Sequence, residues 1–166
     1  MSKANLFMLM VLIGFLMPAQ ATTPDDIAIV AKECPGVEDA IVIVDSSHIG
    51  ITIRPLSYAT SEDLEETIAI LIAGYGYLLD ATPGYIGYLR IGLATRSSGQ
   101  IVAIWEARPE GTRQHFDTES NSILLSYVDE VIAKGKYLQY SDRYGDATKS
   151  VTTEEGRLSA SVGNWL

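Results

Sequence analysis

The sequence predicts an α+β fold: a two-layer domain of four antiparallel strands, paired as two hairpins, with helices on one face, in the order α-β-β-α-β-β-α. Three observations predict it. Residues 60–79 carry Leu64, Ile68, Leu71, Ile72, Tyr75, Leu78 and Leu79 at helical spacing. The segments on either side, 39–54 and 88–107, alternate apolar and polar residues around a short polar turn, the pattern of β-hairpins. Each hairpin closes on Arg-Pro, at Arg54-Pro55 and Arg108-Pro109, and each is followed by a Ser/Thr-capped acidic helix start. The ββα order thus occurs twice. A duplicated unit explains it, and so does the habit of ending strands with proline.

The N-terminus is set aside before the fold is read. Lys3 precedes an apolar run over residues 6–17, and Ala19 and Ala21 provide the small-residue exit of a secretory signal. The run falls short of the ~20 residues that a spanning helix needs. Residues 1–21 are therefore expected to be a cleaved signal peptide, with a retained anchor as the alternative. That leaves residues 22–136 as a single α+β domain and 137–166 as a polar C-terminal tail.

The first helix opens at Thr23, a capping hydroxyl, with Pro24 in the first turn and Asp25 and Asp26 behind it. Ile27, Val30, Ala31 and Cys34 form its apolar stripe, and Pro35-Gly36 stops it. The first strand, around Ile41, Val42, Ile43 and Val44, is apolar on both sides, which predicts a central or covered position. Asp45-Ser46-Ser47-His48 turns the chain. In the return strand Ile49, Ile51 and Ile53 alternate with Gly50, Thr52 and Arg54, so one face is buried and the other wet.

The central helix has Thr60 and Ser61 for caps and Glu62, Asp63, Glu65 and Glu66 near its positive end. At roughly 1.5 Å per residue it spans ~27 Å, enough to cross a small domain. Ala81-Thr82-Pro83-Gly84 breaks the chain. The second hairpin follows, with Leu89, Ile91 and Leu93 inward, a turn at Arg96-Ser97-Ser98-Gly99, and a return strand carrying Trp105. Residues 109–117 read as polar loop. Residues 118–133 read as a third helix, with Ile123, Leu124, Tyr127, Val128, Val131 and Ile132 on one side. Past Lys136, Tyr137, Tyr140 and Tyr144 lie among polar residues, the composition of a flexible tail. An additional edge hairpin around Glu154-Glu155-Gly156 is the alternative there.

Net charge is −9, and it becomes −10 when Lys3 leaves with the signal. An acidic chain of this kind is a poor partner for nucleic acid or for an anionic membrane. Cys34 is the sole cysteine, so no internal disulfide can form. The sequence contains no G-x-S-x-G, H-E-x-x-H, P-loop or paired C-x-x-C. Gly74-Tyr75-Gly76 begins like a dinucleotide loop, but it sits inside the helical pattern and lacks a third glycine. Close packing explains it better, because Ala69, Ala73 and Gly76 let another element approach.

His115, Asp117 and Glu119 form a His-x-Asp-x-Glu cluster. On extended backbone alternate side chains face one way, so the three can converge on a divalent metal. Loops ahead of helices are also routinely acidic, which gives the plainer account. Cys34 reads as a small buried hydrophobe rather than a nucleophile. Glu106 beside Trp105 is either an acid of raised pKa or a solvent-face carboxylate. Tyr75, Tyr77, Tyr85 and Tyr88 surround the exit of the central helix. With Trp105 they are the candidate binding residues, tyrosine having a broad apolar body and a polar tip.

No cofactor is predicted. The expected function is a non-catalytic, extracytoplasmic interaction or cell-envelope module with a protein partner, no nucleic acid and no stable membrane span once the signal is cleaved. The first alternative is a small metal-assisted hydrolase using His115, Asp117 and Glu119. The second is a small-ligand carrier with a pocket lined by Tyr75, Leu89 and Trp105.

Overall fold

The structure is a computed structural model that describes residues 23–96, 98–139 and 149–152, the segments 137–139 and 149–152 through their backbone. The expected signal peptide, residues 1–21, lies outside the described residues, as do 140–148 and 153–166 of the expected tail.

Helix α1 (Pro24–Glu33) starts where the sequence places it. Thr23 accepts from the Asp26 N–H while the Asp26 carboxylate accepts from the Thr23 N–H, a reciprocal capping box. Ile27, Val30 and Ala31 are buried. Gly36 then takes φ +70°, and a Cβ there would lie 2.8 Å from that of Asp63, so the turn into the first strand needs glycine twice over. Strands β1 (Val37–Val44) and β2 (His48–Pro55) pair antiparallel, with Ile41 opposite Thr52 and Ile43 opposite Gly50.

Helix α2 (Ser61–Ala81) repeats the capping box with Thr60 and Asp63. Leu71, Ile72 and Tyr75 are fully buried, and the helix touches α1 and both later helices. Thr67, also fully buried, donates its hydroxyl to the Pro35 carbonyl and ties α2 to the α1–β1 turn.

Strands β3 (Tyr88–Ala94) and β4 (Ile101–Ala107) form the second hairpin. The join between the hairpins corrects the expected antiparallel sheet: β2 and β3 run parallel, with Ile51 beside Ile91. The cause is α2, which carries the chain back along the sheet so that β3 starts from the end where β2 started. The sheet is mixed. Helix α3 (Pro109–His115) replaces the expected loop, because Pro109 at the first helical position starts a helix as well as it ends a strand.

The expected helix over 118–133 is shorter. Strands β5 (Phe116–Asp117) and β6 (Ser122–Ile123) make a small ladder first, and α4 covers only Leu125–Ala133. Asp117 accepts from the Glu119 N–H and the Ser120 hydroxyl, and Asn121 adopts φ +52°. That left-handed residue cannot sit inside an α-helix.

Strands β7 (Lys136–Gln139) and β8 (Lys149–Thr152) extend the sheet to the order β1-β2-β3-β4-β7-β8. Core residues Ile49, Ile51, Ile53, Leu89, Ile91, Leu93, Ala103 and Trp105 join those of α1, α2 and α4 in one cluster on a single side of the sheet. No helix among the described residues is long and apolar enough to cross a membrane.

Candidate interaction site

The strand register defines the other side of the sheet. One row across it reads Ile41, Thr52, Gly92, Ile104, and the next reads Ile43, Gly50, Arg90, Glu106. No helix among the described residues covers this face. Ile41 is 56% exposed and Ile43 62%, so the expectation of a central or covered first strand is corrected. Strand β1 is an edge strand with a bare outer face. The small residues Gly50, Thr52 and Gly92 in the middle of the face leave the isoleucines of β1 standing above it.

The face ends in a polar and aromatic cluster. Tyr88 stacks on His48 with ring centroids 5.3 Å apart, and the guanidinium of Arg108 sits 4.5 Å from the Tyr88 ring centre. Arg90 donates twice to one oxygen of Glu106, from Nε at 3.0 Å and Nη2 at 2.7 Å, and Arg108 donates to the other at 3.0 Å. Partial burial pushes the Glu106 pKa up, but the hydrogen bond and charge of Arg90, with Arg108 behind it, hold it below the usual value. Glu106 is therefore the solvent-face carboxylate and not the acid of raised pKa. At the turn, Asp45 accepts from the Ser47 hydroxyl, the Ser47 N–H and the His48 N–H. Those bonds, the Ser47 hydroxyl first, lower its pKa from 3.8 to about 2.

The structure does not bring the candidate tyrosines into one surface. Tyr75 is fully buried and donates its hydroxyl to the Gly87 carbonyl, and burial raises its pKa. Trp105 is a core residue. Tyr77 is partly buried, with its ring edge-on to Phe116, and Tyr85 is packed beneath Gly87. Tyr88 alone of the five belongs to the open face, and sequence reasoning missed the companions that hold it there. Alternation sets Tyr88 and Arg90 opposite the inward Leu89 and Ile91, and leaves Glu106 between two readings. What one strand's pattern could not show is that the β2–β3 register brings His48 beside Tyr88.

The His115 and Asp117 side chains are drawn to separate partners, and Glu119 enters the cluster's bonding through its backbone N–H, which donates to Asp117. His115 bonds through Nδ1 to the Gly111 carbonyl at 2.7 Å and stacks on Tyr127, while Asp117 holds the β5–β6 turn. Among the described residues no group of three His, Cys, Asp or Glu side chains is placed to hold a metal. Cys34 is buried, and burial pushes its pKa up to about 12, so it stays a thiol. Gly76 faces the Phe116 ring so closely that a Cβ would overlap it, the close packing the sequence suggests. Beside it an open cleft of about 260 Å³ is lined by Leu79, Asp80, Arg113 and Phe116. Arg113 is committed there to the Pro83 and Tyr85 carbonyls.

Comparison with family models, with curated proteins and with solved structures finds no match to this chain.

Proposed function

We propose that this chain is an exported, non-catalytic interaction module of the cell envelope or extracellular space, which binds a protein partner through the helix-free face of its sheet. One observation carries the reading. Two isoleucines of the same strand, Ile41 and Ile43, stand more than half exposed on a sheet face, and burying each in an interface is worth about 1.5–3 kcal/mol. The rim of that face holds Tyr88, Arg90 and Arg108, residue types that serve binding surfaces well. The rival chemistries find less support. In the His-x-Asp-x-Glu cluster the His115 side chain bonds the Gly111 carbonyl and stacks on Tyr127, and the Asp117 carboxylate serves the local turn. The residues expected to line a carrier's pocket, Tyr75, Leu89 and Trp105, fill the core instead. The apolar N-terminal run is the support for export.

The test is made in the native host. A photo-crosslinking residue at position 43 should give a discrete protein adduct, and the same residue at position 29, an exposed isoleucine of α1, should not. The mature chain recovered from that host should begin near Thr22 by mass spectrometry. Equal labelling from both positions, or an intact Met1, contradicts the face or the export in turn.

A further inference from the structure

Strand β1 ends the sheet, and its outer edge has no strand partner among the described residues. The Asp45 N–H bonds to the His48 carbonyl across the turn, and Ile43 and Ile41 follow it opposite Gly50 and Thr52. In an antiparallel ladder every second residue bonds its partner. Odd-numbered residues of β1 therefore face β2, and Ala40, Val42 and Val44 direct their N–H and C=O groups outward. The Ala40 N–H fits this assignment, since it donates to its own neighbour's carboxylate, Asp39 Oδ1, at 2.9 Å instead of to β2. The residues from Ala40 to Val44 carry no charge, no proline and no lysine, the usual protections of an exposed edge.

The side chains say what kind of strand fits. On the open face β1 presents Asp39, Ile41 and Ile43 in alternation, and Asp45 follows in the turn with its carboxylate 3.0 Å from His48 Nδ1. Two apolar positions therefore lie between two acids, the second of them shared with His48. A second copy of this chain fits badly. Pairing the edges about Val42 sets Ile41 beside Ile43 but also Asp39 beside Asp45 of the second copy, at both ends. Slipping the register by two residues sets an aspartate against an isoleucine. Like charges directly opposite each other destabilise a strand pair, and each mature copy, without Lys3, adds a net charge of −10. Glu38, just outside, is already paired with Arg96.

Resting on the interaction reading above, we infer that the free edge of β1 takes an added strand from a basic partner: an extended segment with apolar side chains at two alternating positions and lysine or arginine beyond them. Its backbone pairs with Val42, Val44 and the Ala40 carbonyl. Its apolar side chains lie beside Ile41 and Ile43, and its basic ends meet Asp39 and Asp45. Backbone bonds supply affinity in such additions and the alternate side chains supply specificity.

The test uses the mature chain and a short synthetic peptide of alternating isoleucine and threonine between terminal lysines, read by amide hydrogen exchange. The peptide should slow exchange at the Val42 and Val44 amides by about tenfold or more, since those groups leave solvent. A glutamate-ended version, and a lysine-ended version N-methylated on its pairing edge, should not. Val42→Pro should abolish the effect while leaving the β1–β2 ladder intact, because the amide it removes faces outward. Should that variant not fold, the N-methylated peptide decides the same point on the unchanged protein. No protection from the lysine-ended peptide, or equal protection from the glutamate-ended or N-methylated one, overturns the inference. So does protection that appears without peptide and tracks a dimer in sedimentation. If the edge fails in any of these ways while position 43 still gives its adduct, the edge assignment falls and the interaction reading stands.

Discussion

Asp45 organises the β1–β2 turn with a single carboxylate, and its chemistry gives a residue-level prediction. Its pKa is lowered in the folded chain, so the turn's contribution is complete above the ordinary value of 3.8 and is lost as pH falls through about 2. The Ser47 and His48 amides, which it accepts from, should shift together over that acidic window when followed by NMR. Asp45→Asn should remove the titration. At this scale the sequence was readable where one side chain acts on its own neighbours. Thr23 with Asp26, and Thr60 with Asp63, cap their helices as their spacing says. It was not readable where the partner arrives from another strand. Nothing local to Tyr88 announces that His48 and Arg108 will enclose its ring, and nothing in the His-x-Asp-x-Glu spacing shows that Tyr127 will claim His115.

Helix α2 is the element on which the domain packs. Leu71 has no exposed surface, and α2 touches α1, α3, α4, β3 and β6. Leu71→Ala should cost about 2–5 kcal/mol in urea or thermal unfolding, the range for truncating a buried leucine. A loss under roughly 0.5 kcal/mol would place the helix at the periphery. This element was legible because its periodicity is long and its caps are explicit. The region from Pro109 to Ala133 was not. Residues 109–117 read as loop and 118–133 have the apolar spacing of one helix. Pro109 instead starts a helix in the first segment and the left-handed Asn121 breaks the second, and a window of hydrophobicity does not register either. Asn121→Gly should be tolerated, and Asn121→Val should cost about 1–2 kcal/mol, since a β-branched residue resists that backbone angle.

For the whole molecule, the α+β class and both hairpins could be read from alternation, whereas the mixed sheet could not. Hairpin patterns fix pairs of strands, and the direction of one pair against the next depends on where α2 returns the chain. The apolar first strand is the informative failure. A strand apolar on both sides is ordinarily covered on both sides. Here Ile41 and Ile43 are more than half exposed, and under the proposed function a partner supplies their cover. The measurement that tests this most directly is the unfolding free energy of the mature chain carrying Ile41→Thr together with Ile43→Thr, with no partner present. If the face is free in the isolated protein, the double change should alter stability by no more than about 0.5 kcal/mol per site. A loss of about 2 kcal/mol or more would show that the chain buries these side chains itself, and would contradict an open binding face.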